Sequence, residues 1–286
     1  MSLICLFPGQ GSQVVGMGAD LFDRYPDWTA EADRILGYAV RELCVEDRRD
    51  ELRLTQFTQP ALFVVNALTY RARRDDGMAA PDFVAGHSLG EYNALLAASV
   101  FPFASGLALV KERGRMMGQV SGGGMAAVIG LLPRQIQEIL DGSDAGRRLD
   151  VANFNSFEQT VIAGPTRDLE EVRPFFEAAG ARGYIMLNVS APFHSRYMRE
   201  SQMAFAAFLR DVPLAIPAIP VVSNVSGRPY EGDMVRQTLS EQIGNSVRWL
   251  ESMEYLLRQP DPQFVEAGPG TVLTKMVEKI KRRKHA

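Results

Sequence analysis

The segment DFVAGHSLGEYNALLAASV, residues 82–100, constrains the fold more than any other stretch of the chain. A short apolar run ends at Gly86, Ser88 follows two residues later, and Gly90 opens an apolar run. Gly-x-Ser-x-Gly between a strand and a helix requires so sharp a reversal that only small residues fit at the two glycine positions. It leaves the serine strained, with its hydroxyl presented. Such an elbow needs a strand before it and a helix after it. A plain turn that happens to need glycines is the competing reading of the pentapeptide alone.

The surrounding sequence continues that alternation. LICLF, residues 3–7, is a short apolar run followed by the loop PGQGSQ. Residues 59–74 carry a proline in an expected first turn, apolar residues at helical spacing and arginines at the end. Residues 104–120 read as another amphipathic helix. Strands alternating with helices predict an α/β fold with a mostly parallel sheet. The glycine-rich SGGGMAA, residues 121–127, reads as a hinge. After it the order becomes strand, helix, two strands around an Asn-Ser turn, helix, strand, which is the ferredoxin-like unit. The expected organisation is a large subdomain formed by 1–124 and 191–286, with a small subdomain at 125–190 inserted in it. A cleft between them is the expected binding site.

A serine nucleophile needs a base, because a free hydroxyl is protonated at neutral pH. The chain has three histidines. His87 adjoins the serine and should point away from it, and His285 lies in the charged tail. His194, in SAPFHSRYM, remains; it precedes an expected helix from about Ser195 to Leu209, whose N-terminus favours neutral imidazole. Oxyanion donors are expected from the main chain of Leu89, just after the nucleophile, and of Gln10, at the centre of PGQGSQ. GQGSQV lacks the third glycine of a dinucleotide fingerprint, and no phosphate-loop motif occurs. Arg113 sits on an otherwise apolar helical face, where a guanidinium suits a carboxylate ligand; a solvated surface arginine is the competing reading.

FPGQGSQ, GHSLGEYNAL, KERGRMM, NSFEQTVIAG, SAPFHS, EQIGNSVRW and FVEAGPG occur in this order from about residue 3 to 280. Together they resemble the malonyl-CoA:acyl-carrier-protein transacylases, most closely the discrete, trans-acting acyltransferases of modular polyketide synthases. The resemblance implies an α/β-hydrolase-like large subdomain with a ferredoxin-like insert. It implies transfer of malonyl from malonyl-CoA to the phosphopantetheine thiol of an acyl carrier protein, with no cofactor and no metal. It makes Ser88 the acylated nucleophile, His194 its base, the amides of Gln10 and Leu89 the oxyanion hole, and Arg113 the ligand of the malonyl carboxylate. It further implies that Met117 lines the pocket, that the main chain of Gln242 orients the histidine, and that Asn155 lies near the site. Phe193, before the histidine, matches members that exclude an α-methyl branch. Phe157 departs from the proline usual in NSxEQ. A fatty-acid-synthesis transacylase, a proofreading thioester hydrolase and a non-catalytic carrier-binding module are the alternatives.

The bulk numbers fit. Hydrophobic residues are 46% and charged residues 23% of 286, and the net charge of −3 suggests no nucleic-acid or membrane partner. Cys5 and Cys44 make a disulfide framework unexpected, with Cys5 reading as a core residue. The N-terminus reads as neither signal peptide nor membrane span, so a cytoplasmic location is expected. With no carrier or ketosynthase segment in the sequence, the carrier is expected to be another molecule. Arg196, Arg199 and the basic C-terminal run are candidates for meeting its acidic surface.

Overall fold

A computed structural model describes residues 1–189 and 191–284. Four strands, β1 (Ser2–Phe7), β2 (Phe83–Gly86), β7 (Val221–Val222) and β8 (Pro262–Glu266), form a parallel sheet in the order β7-β2-β1-β8. β1 is buried almost end to end, as a central parallel strand with both faces covered must be. Phe7 pairs with Gly86, so the carboxyl ends of β1 and β2 lie side by side. That register sets the PGQG loop beside the serine turn, at the end of the sheet where open α/β folds bind ligands.

The insert is a second, antiparallel sheet of β3 (Gly123–Ile129), β4 (Asp150–Ser156), β5 (Gln159–Pro165) and β6 (Gly183–Met186), in the order β4-β5-β3-β6. Helices Pro133–Asp141 and Thr166–Ala178 complete the ferredoxin-like unit. Its two faces alternate as a strand demands. Ala126 and Val128 pack with Ile136, Leu169 and Phe176 on one side, and Met125 and Ala127 join the main core on the other. Val247 stitches β4 to the large subdomain, giving its amide to Ala152 O (2.8 Å) and accepting from Phe154 N (2.9 Å).

Several local expectations change. The helix expected from residue 59 runs Thr55–Asp75, so Pro60 lies inside it and not in its first turn. Thr58 Oγ1 donates to the carbonyls of Leu52 (2.6 Å) and Leu54 (3.0 Å), and burial of nearly every residue from Thr58 to Leu68 offsets the backbone bond that Pro60 forfeits. The expected Asn-Ser turn is a strand end: Asn155 and Ser156 close β4, and Phe157 and Glu158 make the turn. The expected hinge glycines Gly123 and Gly124 are paired in β3, opposite Pro165 and Gly164, two residues before the position at which the insert was expected to start. The Ser195–Leu209 helix is a 3-10 turn, Arg196–Met198, followed by an α-helix from Arg199. His285, the end of the basic tail and the expected boundary residue 190 lie outside the described residues. No helix among the described residues is long and apolar enough to cross a membrane.

Candidate active site

The serine turn is built by close approach. A methyl group on Gly86 would come within 1.9 Å of the Gly90 carbonyl carbon, and one on Gly90 within 2.0 Å of Phe7 O. A side chain at Gly86 would push the strand end off the start of the helix, and one at Gly90 would force the turn off β1. Ser88 between them takes φ = 51°, a left-handed conformation costing a non-glycine residue about 1 kcal/mol. Asn224, after β7, clamps the turn: its Oδ1 accepts from Ser88 N (2.7 Å) and its Nδ2 donates to Gly86 O (2.7 Å). The helix Gly90–Ala97 leaves from this point.

His87 faces away from Ser88 Oγ. Its Nε2 meets Asn155 Oδ1 at 2.8 Å, and its ring packs 5.4 Å from Trp249. Asn155 therefore reaches the serine only through His87. His194 comes from the other side. Its Nε2 lies 2.7 Å from Ser88 Oγ, and its Nδ1 lies 2.9 Å from the main-chain oxygen of Gln242. A carbonyl only accepts, so the proton sits on Nδ1, and the Nε2 lone pair faces the hydroxyl. His194 is 4% exposed and, like Ser88, left-handed, with φ = 58°. Burial, and next the positive charge of Arg113, pull its imidazole down to about 3. Burial, more than the helix that starts at Arg199, thus keeps the ring neutral.

Arg113 is 0% exposed. Its Nη1 donates to Gln59 Oε1 (2.7 Å), and its Nη2 to Gln242 Oε1 (2.9 Å) and Ser88 Oγ (3.2 Å). The guanidinium carbon stands 5.3 Å from the centre of the Tyr92 ring. No carboxylate among the described residues lies within 4.0 Å of it, and its buried Nε has no partner. A buried guanidinium without a counter-charge in contact is costly. Its neighbour Met117 is buried and accepts weakly, through Sδ, from Gln59 Nε2 at 3.6 Å. Phe193 is buried in the main core beside His194.

The PGQG loop closes on the turn from the β1 side. A methyl on Gly9 would lie 2.3 Å from His87 O and 3.6 Å from Leu89 N, so the backbone just before Gln10 lies directly against the serine turn. Among the described residues neither the Gln10 nor the Leu89 amide donates to a protein acceptor. The Gln10 side chain is tied back by Nε2 donating to Thr55 Oγ1 at 3.3 Å.

Four contributors escaped the sequence: Gln59, Glu91, Asn224 and Tyr230. Glu91, one turn after Ser88, is 0% exposed. Its carboxyl accepts from Tyr230 Oη (2.5 Å), Gln242 Nε2 (2.6 Å) and Asn224 N (3.3 Å to each oxygen). Burial pushes this carboxyl up to about 7, against the lowering effect of those donors and of Arg113. Away from this cluster, a cavity of about 930 Å³ is lined by Arg182, Lys279, Arg282 and Arg283, with Glu158; it contains none of the residues above.

An elbow serine beside a neutral buried histidine, at the end of a parallel sheet that carries a ferredoxin-like insert, is an arrangement suited to acyl-group chemistry. The acyl transferase domain family matches residues 4–285, and the chain belongs to it. It is 48% identical over 284 residues to BaeC of Bacillus velezensis, a polyketide biosynthesis malonyl CoA-acyl carrier protein transacylase, covering 98% of this chain and 97% of that one. It is 52% identical over 275 residues to the polyketide biosynthesis protein ThaF of Burkholderia thailandensis, covering 96% of this chain. The match spans only 24% of ThaF and 36% of another such relative, PksE of Bacillus subtilis. The crystal structure of a malonyl CoA-acyl carrier protein transacylase from Burkholderia pseudomallei superposes with a TM-score of 0.96 at 50% identity, over 99% of both chains. The malonyl-transacylase PlMCAT, in complex with the type II PKS acyl carrier protein AntF, superposes with a TM-score of 0.94 at 36% identity, over 99% of this chain and 94% of that one.

Proposed function

We propose that this protein moves a malonyl group from malonyl-CoA to the phosphopantetheine thiol of a separate acyl carrier protein, in the cytoplasm and in the service of a polyketide synthase. The observation that carries the reading is Arg113: a fully buried guanidinium with no carboxylate of the described residues in contact, 3.2 Å from the hydroxyl that would be acylated. A malonyl thioester brings the missing carboxylate to that place. The resemblance of nearly the whole chain to polyketide transacylases supports the same substrate and partner.

The thioester enters the cleft between the large subdomain (1–124 and 191–286) and the insert (125–190). Ser88 Oγ attacks its carbonyl carbon while His194 Nε2 takes the hydroxyl proton. The Gln10 and Leu89 amides stabilise the oxyanion. The C–S bond breaks, the coenzyme A sulfur takes the proton from His194, and a malonyl-serine ester remains. The carrier thiol then gives its proton to His194 and attacks the ester carbonyl, and Ser88 Oγ leaves with that proton. Arg113 pairs with the distal carboxylate throughout, and Met117 and Phe193 fill the space around the acyl chain. Side chains and amides of the chain itself supply every step, so the reading needs no cofactor.

Pairing Arg113 with a carboxylate also removes part of the positive field that depresses His194. The acid that is selected thereby makes the base stronger. The test is intact-mass measurement after malonyl-CoA, then after adding holo carrier protein. An adduct on Ser88 that moves to the carrier is expected. An adduct lost to water at the same rate with and without carrier points to a hydrolase, and absence of any adduct removes the enzymatic reading.

A further inference from the structure

Gln242 touches every part of the cluster. Its main-chain oxygen holds the His194 ring, its Oε1 accepts from Arg113 (2.9 Å), and its Nε2 donates to Ser88 O (2.8 Å) and to Glu91 Oε2 (2.6 Å). A side-chain amide has two chemically different ends, and only one orientation serves all three neighbours. Reversed, the carbonyl would face two acceptors and the NH2 group would face the guanidinium. The Ser88 carbonyl alone is a weak arbiter of that choice. The Glu91 carboxyl, fully buried and fixed by Tyr230 Oη and Asn224 N, is a strong one. Glu91 also stands one amide away from Arg113. The Gln242 amide stands between the two groups, so Glu91 fixes the bridge without occupying the guanidinium itself.

We propose that Glu91 is a positioning residue which, acting through the side-chain amide of Gln242, holds Arg113 in register with Ser88 and so sets the preference for acyl groups that carry a carboxylate. The inference rests on the malonyl-transfer reading above. A direct Arg113–Glu91 ion pair would satisfy the guanidinium and close it to substrate. The interposed amide keeps it oriented and open. Tyr230 and Asn224 extend the same device outward, and Asn224 returns to the elbow by clamping Ser88 N and Gly86 O.

The test compares the malonyl-CoA to acetyl-CoA ratio of kcat/KM in the wild type, Glu91→Gln, Tyr230→Phe, Arg113→Ala and the Glu91→Gln/Arg113→Ala double variant, with thermal unfolding to verify folding. Tyr230→Phe is informative because the Tyr230 hydroxyl bonds Glu91 and, among the described residues, hydrogen-bonds none of Ser88, His194, Arg113 or Gln242. The ratio should fall roughly tenfold in Glu91→Gln and roughly threefold in Tyr230→Phe, fractions of the cost of leaving a buried polar group misdirected. The double variant should match Arg113→Ala alone. A residue needed only for folding would lower both substrates together, and an unchanged ratio in folded Glu91→Gln overturns the inference. If Glu91→Gln does not fold, an unchanged ratio in Tyr230→Phe overturns it equally. A wild type that takes no malonyl onto Ser88 is a separate result, which removes the functional reading itself.

Discussion

Ser88 and His194, 106 residues apart, meet Oγ to Nε2 at 2.7 Å, and both hold left-handed backbones, with φ of 51° and 58°. Two strained non-glycine residues facing each other mark a place where geometry has been kept at the expense of stability. Ser88→Ala should form no adduct with malonyl-CoA by intact mass. Ser88→Gly should be equally inert yet unfold at a higher temperature than Ser88→Ala, because both lose the hydroxyl and its contacts but glycine adopts φ = 51° without the cost of about 1 kcal/mol that a residue with a Cβ bears. A Tm for Ser88→Gly equal to or below that of Ser88→Ala would show that the strain is absorbed elsewhere.

Arg113→Ala should lower the malonyl-CoA acylation rate by about two to three orders of magnitude, a scale set by losing a buried charge-assisted contact. Acetyl-CoA, which brings no carboxylate, should lose far less. Single-turnover acylation of Ser88 with each thioester measures both. Equal losses would mean that Arg113 serves mainly through its 3.2 Å bond to Ser88 Oγ and not as a carboxylate ligand.

The contrast between these residues and their supports shows what a sequence carries. Gly86, Ser88 and Gly90 are legible because the constraint is local: Gly86 must clear the start of the helix and Gly90 must clear β1, and only glycine does either. Arg113 stands out as a cation on an apolar helical face, and its complete burial follows from that face. The alternation of strands and helices exposes both sheets, although Pro60 is a misleading marker of where a helix starts. Glu91, Asn224 and Tyr230 are not legible. Their partners lie 133 to 151 residues away, and no local pattern distinguishes a buried hydrogen-bonded glutamate from a solvated one in the first turn of a helix. Asn155 carries the converse lesson. Its motif is conspicuous, but its side chain serves His87 and not the serine.

The pH profile of acylation should reflect the depressed imidazole. A general base works while unprotonated, so activity is lost as pH falls through its pKa. For free enzyme that limb should lie well below the usual histidine value of 6.5, toward the value of about 3 to which burial and Arg113 bring His194. Removing the positive charge should move it up. In kcat/KM profiles with acetyl-CoA, Arg113→Ala should therefore lose activity at higher pH than the wild type. A limb near 6.5 in both proteins would mean that water reaches His194 in solution.

Glu91 and His194 should also oppose each other in the pH dependence of stability. The Glu91 carboxyl rises from an ordinary 4.5 to about 7 on folding, so between those values the folded protein keeps a proton that the unfolded chain has released. Its contribution is present in full below pH 4.5 and is lost as pH rises to 7. His194 falls from 6.5 to about 3, so the unfolded chain takes up a proton that the folded protein refuses. Its contribution is present above pH 6.5 and is lost as pH falls toward 3. From 4.5 to 6.5 the two slopes cancel. Glu91→Gln removes one of them and leaves His194 unopposed. Urea unfolding of the two proteins across this window should show the variant gaining on the wild type by about 1 kcal/mol per pH unit as pH rises, the slope that one proton of difference gives. Parallel stability curves would mean that the Glu91 carboxyl is ionised at both ends of the window, held so by Tyr230, Gln242 and Asn224 despite its burial.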